Sequence, residues 1–346
     1  MARIVVAGAG AIGASIAYHL AERRTADEIL LCDRAEVASG ATGKAMGGVR
    51  QQFTTAPEVR LAQASARFFA RLGPPLFEQV GYLFLATTEE GAAELGERAQ
   101  TQRGLGVPVE DVDPAFVAGL RVDDVHAAVI CREDGIADPV AVTRHLVARA
   151  GALGVELLEH TDARDVDRDV LVVACGASSP ELVDVPIRPL VRQLTETGQV
   201  EGLPVDLPMV IEAETGFHFR PVDGGLRLAM AEPRLRWGDE PEVDETLVAD
   251  WLGRLAHRYP SAEGVSVKRS WAGLYDMTPD AHPVIGWAGD GVYAACGFSG
   301  HGFMQAPAVG AAVADELVDG KSSFDLSPYR LERFEAGAGF PETLVL

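Results

Sequence analysis

The sequence predicts an α/β fold in which a Rossmann-like, dinucleotide-binding domain is assembled from discontinuous segments around an inserted α+β domain built on a mixed or antiparallel sheet. Three observations carry this expectation. The chain opens as strand, glycine turn, helix and strand over residues 4–7, 8–13, 14–24 and 28–32. A strand running into a glycine turn returns at residues 170–177 and again, followed by a helix, at 292–318. Between these lies strand-rich sequence punctuated by Pro and Gly, over about residues 185–235.

The opening unit is a βαβ of the usual length, about 30 residues. Gly8, Gly10 and Gly13 form G-x-G-x-x-G, with Ala11 and Ile12 between them, and Asp33 follows the second strand. Gly8 permits the tight turn, Gly10 lets backbone approach a pyrophosphate, and Gly13 lets the helix pack closely on the sheet. The helix N-terminus offers N–H groups to phosphates, and the Asp33 carboxylate can accept from ribose hydroxyls. With strand, helix and acid in register, the pattern points to a dinucleotide rather than to a structural turn.

FAD and NAD share that fingerprint. Residues 39–48, which include Ser39, Thr42, Gly43 and Lys44, are polar, glycine-rich and aperiodic, and read as a long loop of the kind that is usually functional. Such a loop is surplus in a simple NAD domain but useful for wrapping an extended flavin dinucleotide. No second G-x-G-x-x-G occurs, so one dinucleotide serves the chain, and FAD is favoured.

Further along, a helix is expected over 57–72 and a strand over 81–86. Asp138 should cap a helix that has Pro139 in its first position and runs to Ala150. Residues 170–174 read as a strand leading into the turn Cys175, Gly176, Ala177. The expected division places 1–78, 136–184 and 266–346 in the FAD-binding domain, and 79–135 and 185–265 in the substrate-binding domain.

With 346 residues, 47% of them hydrophobic, the chain can bury a core in each of two domains. A formal charge of −21, with lysine nearly absent, argues against nucleic acid, which needs a clustered basic surface. There is no apolar run long enough to span a membrane, and residues 3–7 enter a strand directly, so a cytoplasmic location is expected. Cys32, Cys131, Cys175 and Cys296 form no C-x-x-C pair and read as small buried hydrophobes. Asp280 and His282 are too small a cluster for a metal, and none is expected.

Several strings carry more than a fingerprint: residues 8–13, Asp33 with Arg34, 39–43, Gly47 to Arg50, 81–85, 173–177, 277–280, and Cys296 through Gly300, His301, Gly302, Phe303 and Met304. In these the chain resembles the D-amino acid oxidase superfamily of flavoenzymes, and within it the sarcosine oxidase, glycine oxidase and proline or sarcosine dehydrogenase β-subunit group. The resemblance implies FAD and oxidation of a C–N bond in a small amine or amino acid. Hydride moves from the carbon next to nitrogen to flavin N5, and the imine hydrolyses; the protein orients and tunes, and needs no strong base. Electrons then pass to oxygen or to a protein acceptor, and the chain works alone or in a homo- or hetero-oligomer.

The resemblance also implies site residues. The C-terminal glycine turn, with Gly300 to Met304, points a helix N-terminus at the flavin's pyrimidine edge, where negative charge on reduced flavin is stabilised. Arg34, Cys175, Gly176 and Ala163 map to the cofactor, Ala163 on the adenine side. Arg50 matches an arginine that contacts substrate carboxylate or flavin; a surface arginine is the plainer alternative. His301 contacts flavin or substrate, or caps its own helix. Tyr275 lines the substrate pocket or is a packed core tyrosine, and Lys44 reaches the flavin or faces solvent.

Three departures qualify the resemblance. Gly273 stands where monomeric sarcosine oxidases carry the cysteine that tethers flavin, which implies non-covalent FAD. Met304 replaces a lysine that holds the substrate carboxylate, so that task falls on another cation or is absent. Residues 160–170 are too short for the hairpin usual before the 173–177 turn. A non-catalytic flavoprotein serving in assembly or electron transfer, and a plain NAD dehydrogenase, are the competing readings.

Overall fold

The apolar run Arg3–Ala7 is buried along almost its whole length, as a strand inside a parallel sheet covered on both faces must be. The structure, a computed structural model, describes residues 2–23, 28–232, 234–337 and 339–340. Around Arg3–Ala7 a six-stranded sheet runs in the order Val284–Gly289, Val292–Cys296, Val170–Val173, Arg3–Ala7, Glu28–Cys32, Glu156–Leu158. Every pairing is parallel except the edge hairpin between Val284–Gly289 and Val292–Cys296.

Helix Ala11–Glu22 is apolar nearly all round because it is sandwiched: it packs on helix Gly302–Asp319 and on helix Pro139–Ala152. Small residues set those contacts. A Cβ added at Gly310 would come within 2.2 Å of Ser15 Oγ, and one at Gly13 would lie 1.8 Å from the Gly8 carbonyl oxygen. Gly8 itself has φ +102°. The glycine turn is therefore a requirement of backbone meeting backbone.

The second sheet has nine strands and is mixed. Arg188–Thr197 lies antiparallel to Val267–Met277 on one side and to Gly225–Ala229 and Arg236–Trp237 on the other. The sheet continues through His218–Val222, Met209–Glu212, Tyr82–Ala86, Ala127–Cys131 and Val109–Asp111, with Tyr82–Ala86 parallel to Met209–Glu212. A small sheet of Gly48–Val49, Gly135–Ala137 and Phe77–Glu78 lies beside these two. The fold is thus α/β, with a parallel sheet and a mixed, largely antiparallel one. Residues 267–277, although they belong to the last sequence segment, run in the second sheet.

Most expected elements are present with small shifts. Asp138 caps its helix by accepting from the N–H groups of Val140 and Ala141, with Pro139 next. The helix expected at 57–72 is Ala56–Leu72, and the strand expected from Gly81 starts at Tyr82, because Gly81 takes φ +87°. The opening helix ends at Glu22; Arg24, its expected last residue, lies outside the described residues. The stretch 39–48 is not all loop: Ala41–Lys44 forms a 3-10 turn and Gly48 opens a strand. No hairpin occupies 160–170, where the chain makes one 3-10 turn, Ala163–Asp165. Helices Glu89–Gly104 and Glu245–Arg258 have no counterpart in the sequence reading.

Two glycine-to-alanine changes should separate requirement from tolerance. Gly13→Ala forces the helix off its strand and should lower unfolding free energy by at least about 1–3 kcal/mol. Gly96→Ala, mid-helix with nothing within 4 Å of the new Cβ, should raise it by about 0.5–1 kcal/mol. Denaturant midpoints at constant slope measure both.

Candidate active site

One continuous cleft, with a cavity volume of about 330 Å³, is lined by both glycine turns and by residues of both large sheets. Its size falls in the range of small-molecule and cofactor sites, roughly 300–1,000 Å³. From the first turn it takes Gly8, Gly10, Ala11 and Ile12, then Asp33; from the polar stretch, Ser39, Thr42 and Lys44. Cys175 and Gly176 follow strand Val170–Val173 into the wall, and Gly300 to Met304 close another side. Arg50 and Tyr275 also line it.

The first turn is already partly engaged by the protein. Asp33 accepts from the Ala9 N–H (2.7 Å) and the Ala35 N–H (2.8 Å), and Thr42 Oγ1 accepts from the Ala11 N–H (3.0 Å). Thr42 is therefore a cap for the helix, as well as a wall of the cleft. Each carboxylate oxygen of Asp33 keeps a further acceptor site for a ligand hydroxyl. The side-chain-free Gly8 and Gly10 leave the room that an extended dinucleotide needs, and a Cβ at Gly10 would press on Thr42 Oγ1 at 3.1 Å. These residues fit a dinucleotide cofactor.

The C-terminal turn is held from the neighbouring strand. Asp276, buried, accepts from the Gly297 N–H (2.8 Å) and the Ser299 N–H (3.2 Å). Burial pushes its carboxyl up, while those N–H groups pull it back. Tyr275 lies so close over Gly300, at φ +94°, that a Cβ there would meet its ring at 2.3 Å. The turn can therefore carry only glycine at that position. His301 stands at the N-cap of helix Gly302–Asp319, but its side chain makes no capping hydrogen bond. Its ring instead meets Phe53 edge-on at 5.1 Å. The Arg50 guanidinium lies 4.1 Å over the same Phe53 ring and donates to the Gln52 carbonyl. At 1% exposure Arg50 is a buried cation, so the surface alternative fails.

Four sequence-derived candidates do not line the cleft. Gly13 and Gly43 act through close packing, on the Gly8 and Ala38 carbonyls. Arg34 forms a two-point pair with Glu181 (2.7 and 3.1 Å). Ala163 is buried in a core cluster beneath its 3-10 turn. Nor do Asp280 and His282 form a metal centre: Asp280 pairs with Arg333 (2.8 and 3.0 Å), and His282 stacks on Phe340 at 3.9 Å. Among the described residues no cluster of His, Cys, Asp and Glu suits a metal, and no helix is long and apolar enough to cross a membrane.

The sequence reading missed the far wall, formed by Tyr82, Arg192, Met209, His218 and Met230. All are buried residues on, or next to, strands of the second sheet. The local signal was limited to basic side chains in strand-forming sequence. His218 Nδ1 lies 2.7 Å from the Gly216 carbonyl, which can only accept, so Nδ1 carries the proton and neutral Nε2 is left an acceptor. Burial pushes its pKa down to about 4; the charges of Arg50 and Arg192 act the same way, against the Gly216 bond.

The sequence profile of the family described as FAD dependent oxidoreductase (DAO) matches residues 3–316. The FAD-dependent oxidoreductase domain-containing protein 1 of Xenopus laevis is 27% identical, over 96% of this chain and 82% of its own. Glycine oxidase of Geobacillus kaustophilus (strain HTA426) is 26% identical, over 95% of this chain and 96% of its own. Among solved structures, L-proline dehydrogenase from P. horikoshii superposes with a TM-score of 0.88 at 28% identity, covering 97% of this chain and 98% of that one.

A neutral His218 makes stability pH-dependent with a definite sign. Its folded pKa, about 4, lies below the unfolded value of about 6.5, so its contribution is complete above pH 6.5 and is lost as pH falls through 4. Buried Asp134 acts oppositely: its carboxyl is raised to about 6, so its contribution is complete below about pH 4 and is lost as pH rises through 6. His218→Gln should therefore flatten the acid limb, removing up to roughly 3 kcal/mol of stability loss between pH 7 and 4. Unfolding titrations at both pH values measure this; an unchanged limb would mean that the imidazole is charged in the folded protein.

Proposed function

Because the chain belongs to the FAD dependent oxidoreductase (DAO) family, we propose that it binds FAD non-covalently along this cleft and oxidises the C–N bond of a small N-methyl, cyclic or D-amino acid, or of a related amine. One observation carries the reading: the cleft that is lined by the dinucleotide turn is also lined by Arg50, Tyr275, His218 and His301, a set suited to an ionic substrate. When bound, FAD would supply the two-electron acceptor for the hydride that leaves the carbon next to nitrogen. The imine product would hydrolyse in water, with oxygen or a protein acceptor as the final oxidant.

The chain's own groups bind and orient. Asp33 would take ribose hydroxyls, Ser39 and Thr42 would border the phosphates, Lys44 would reach the phosphates or ring, and the helix N-terminus behind Gly300 to Gly302 would favour negative charge at the cofactor ring. Arg50, Tyr275 and His301 contact the substrate. His218, with its free Nε2 lone pair, can accept from the substrate's amine. The far wall of Tyr82, Met209 and Met230 excludes water and limits the substrate to a small side chain.

Non-covalent binding has its own support. The one cysteine lining the cleft is Cys175, whose Sγ lies 3.3 Å from the Ala7 carbonyl; burial raises its thiol to about 12, far from a reactive thiolate. A non-catalytic flavoprotein would have no use for buried guanidiniums and a neutral imidazole facing an empty pocket, since such groups are costly to bury.

The purified protein should be yellow, and acid precipitation should leave the colour in the supernatant. Mixed without oxygen with a panel of N-methyl, cyclic and D-amino acids, it should bleach with at least one. Colour that stays with the precipitate would refute the non-covalent cofactor, and bleaching by none of the panel would favour a flavoprotein without this activity.

A further inference from the structure

We infer that Arg192 is the anchor for the substrate's carboxylate, so that the cleft selects amino acids over simple amines. The inference rests on the proposed function and narrows its substrate class. Arg192 sits on strand Arg188–Thr197, opposite Gly273, and lines the cleft beside Tyr275, with its guanidinium 5.8 Å from that ring's centre. It is 9% exposed, and neither its Nε nor its Nη1 has a hydrogen-bond partner.

Every other arginine buried to this degree is satisfied by the protein. Arg258 is held by Asp124 and Glu212, Arg333 by Asp280, and Arg220 by the carbonyls of Met46 and Pro221. Arg50 donates to Gln52 and lies on Phe53. The acids on the elements around Arg192 are committed elsewhere. Glu196 binds Arg227 and Arg269, Glu232 binds Arg236, and Asp276 holds the C-terminal turn. Among the described residues, no carboxylate pairs with Arg192.

A buried guanidinium without a counter-charge is expensive, by several kcal/mol. The cost is removed when a ligand brings the missing anion, and the planar fork matches a carboxylate at two points. A zwitterionic amino acid supplies that carboxylate, and its nitrogen can then meet the acceptor Nε2 of His218 on the same wall. This gives the lysine role, vacated by Met304, to a strand of the other sheet.

The test titrates the FAD-loaded protein with unreactive probes, acetate and pyrrole-2-carboxylate, with acetamide as the neutral control, and follows the flavin's visible spectrum. The wild type should respond saturably to the carboxylates and not to acetamide. Arg192→Met should weaken carboxylate binding by at least about 30-fold, and Arg192→Lys less, while flavin content and the dithionite reduction midpoint stay as in the wild type. With a substrate found to bleach the flavin, Arg192→Met should raise KM far more than it lowers kcat. Wild-type affinity for carboxylates in Arg192→Met would overturn the inference. So would lost flavin or a shifted midpoint in the otherwise folded Arg192→Lys variant, which would assign the arginine to the cofactor. A wild type that oxidises amines but ignores carboxylates would overturn it and leave the proposed function standing; a colourless wild type would remove both.

Discussion

The antiparallel pairing of Arg188–Thr197 with Val267–Met277 is the contact on which the site depends. Register fixes what each residue meets: Leu190 lies opposite Tyr275, and Arg192 opposite Gly273. One residue further along, Asp276 holds the turn that opens helix Gly302–Asp319, and Tyr275 covers Gly300. A slip of one residue between the two strands would put Tyr275 and Arg192 on different faces of the sheet and take the carboxylate from the turn. The ladder thus couples the ligand-facing side chains of one sheet to a backbone turn that follows a strand of the other.

The two glycine turns were legible because their demands are local. G-x-G-x-x-G encodes a close approach within a few residues, and Asp138 followed by Pro139 encodes a helix start with no help from elsewhere. The far wall was not legible. Arg192 matters because its strand pairs with one about 80 residues on and because of the partners it lacks, and His218 because its local hairpin joins a sheet shared with distant strands; none of this is written near them in the chain. Arg34 and Ala163 show the converse. Family position suggested ligand contact, but Glu181, 147 residues away in the chain, takes one side chain and the core takes the other. Thr42 belongs between these cases: its loop was marked by composition, whereas its bond to the Ala11 N–H appears only once the loop is folded over the helix.

Charge is distributed unevenly between surface and cleft. A formal charge of −21 repels anions, although salt limits that reach to about a Debye length, roughly 8–10 Å. The cleft nevertheless gathers Lys44, Arg50 and Arg192. A zwitterion carries no net charge past the acidic exterior and presents its carboxylate only to the interior cations.

The proposed lack of a covalent tether has a steric counterpart at Gly273. A Cβ at that position would lie 3.0 Å from Lys44 Cβ and 3.2 Å from its Cδ, so the lysine stem already occupies the space a side chain would need. The Trp271 indole N–H donates to the Lys44 carbonyl at 3.1 Å, which fixes the 3-10 turn from the same strand. A side chain at 273 would require that stem to give way by a few tenths of an ångström, and with it a cation that borders the cleft. Glycine at 273 and lysine at 44 are therefore coupled: the small residue on the strand leaves the lysine stem its place beside the cleft, and a larger one there would shift a cation that lines it.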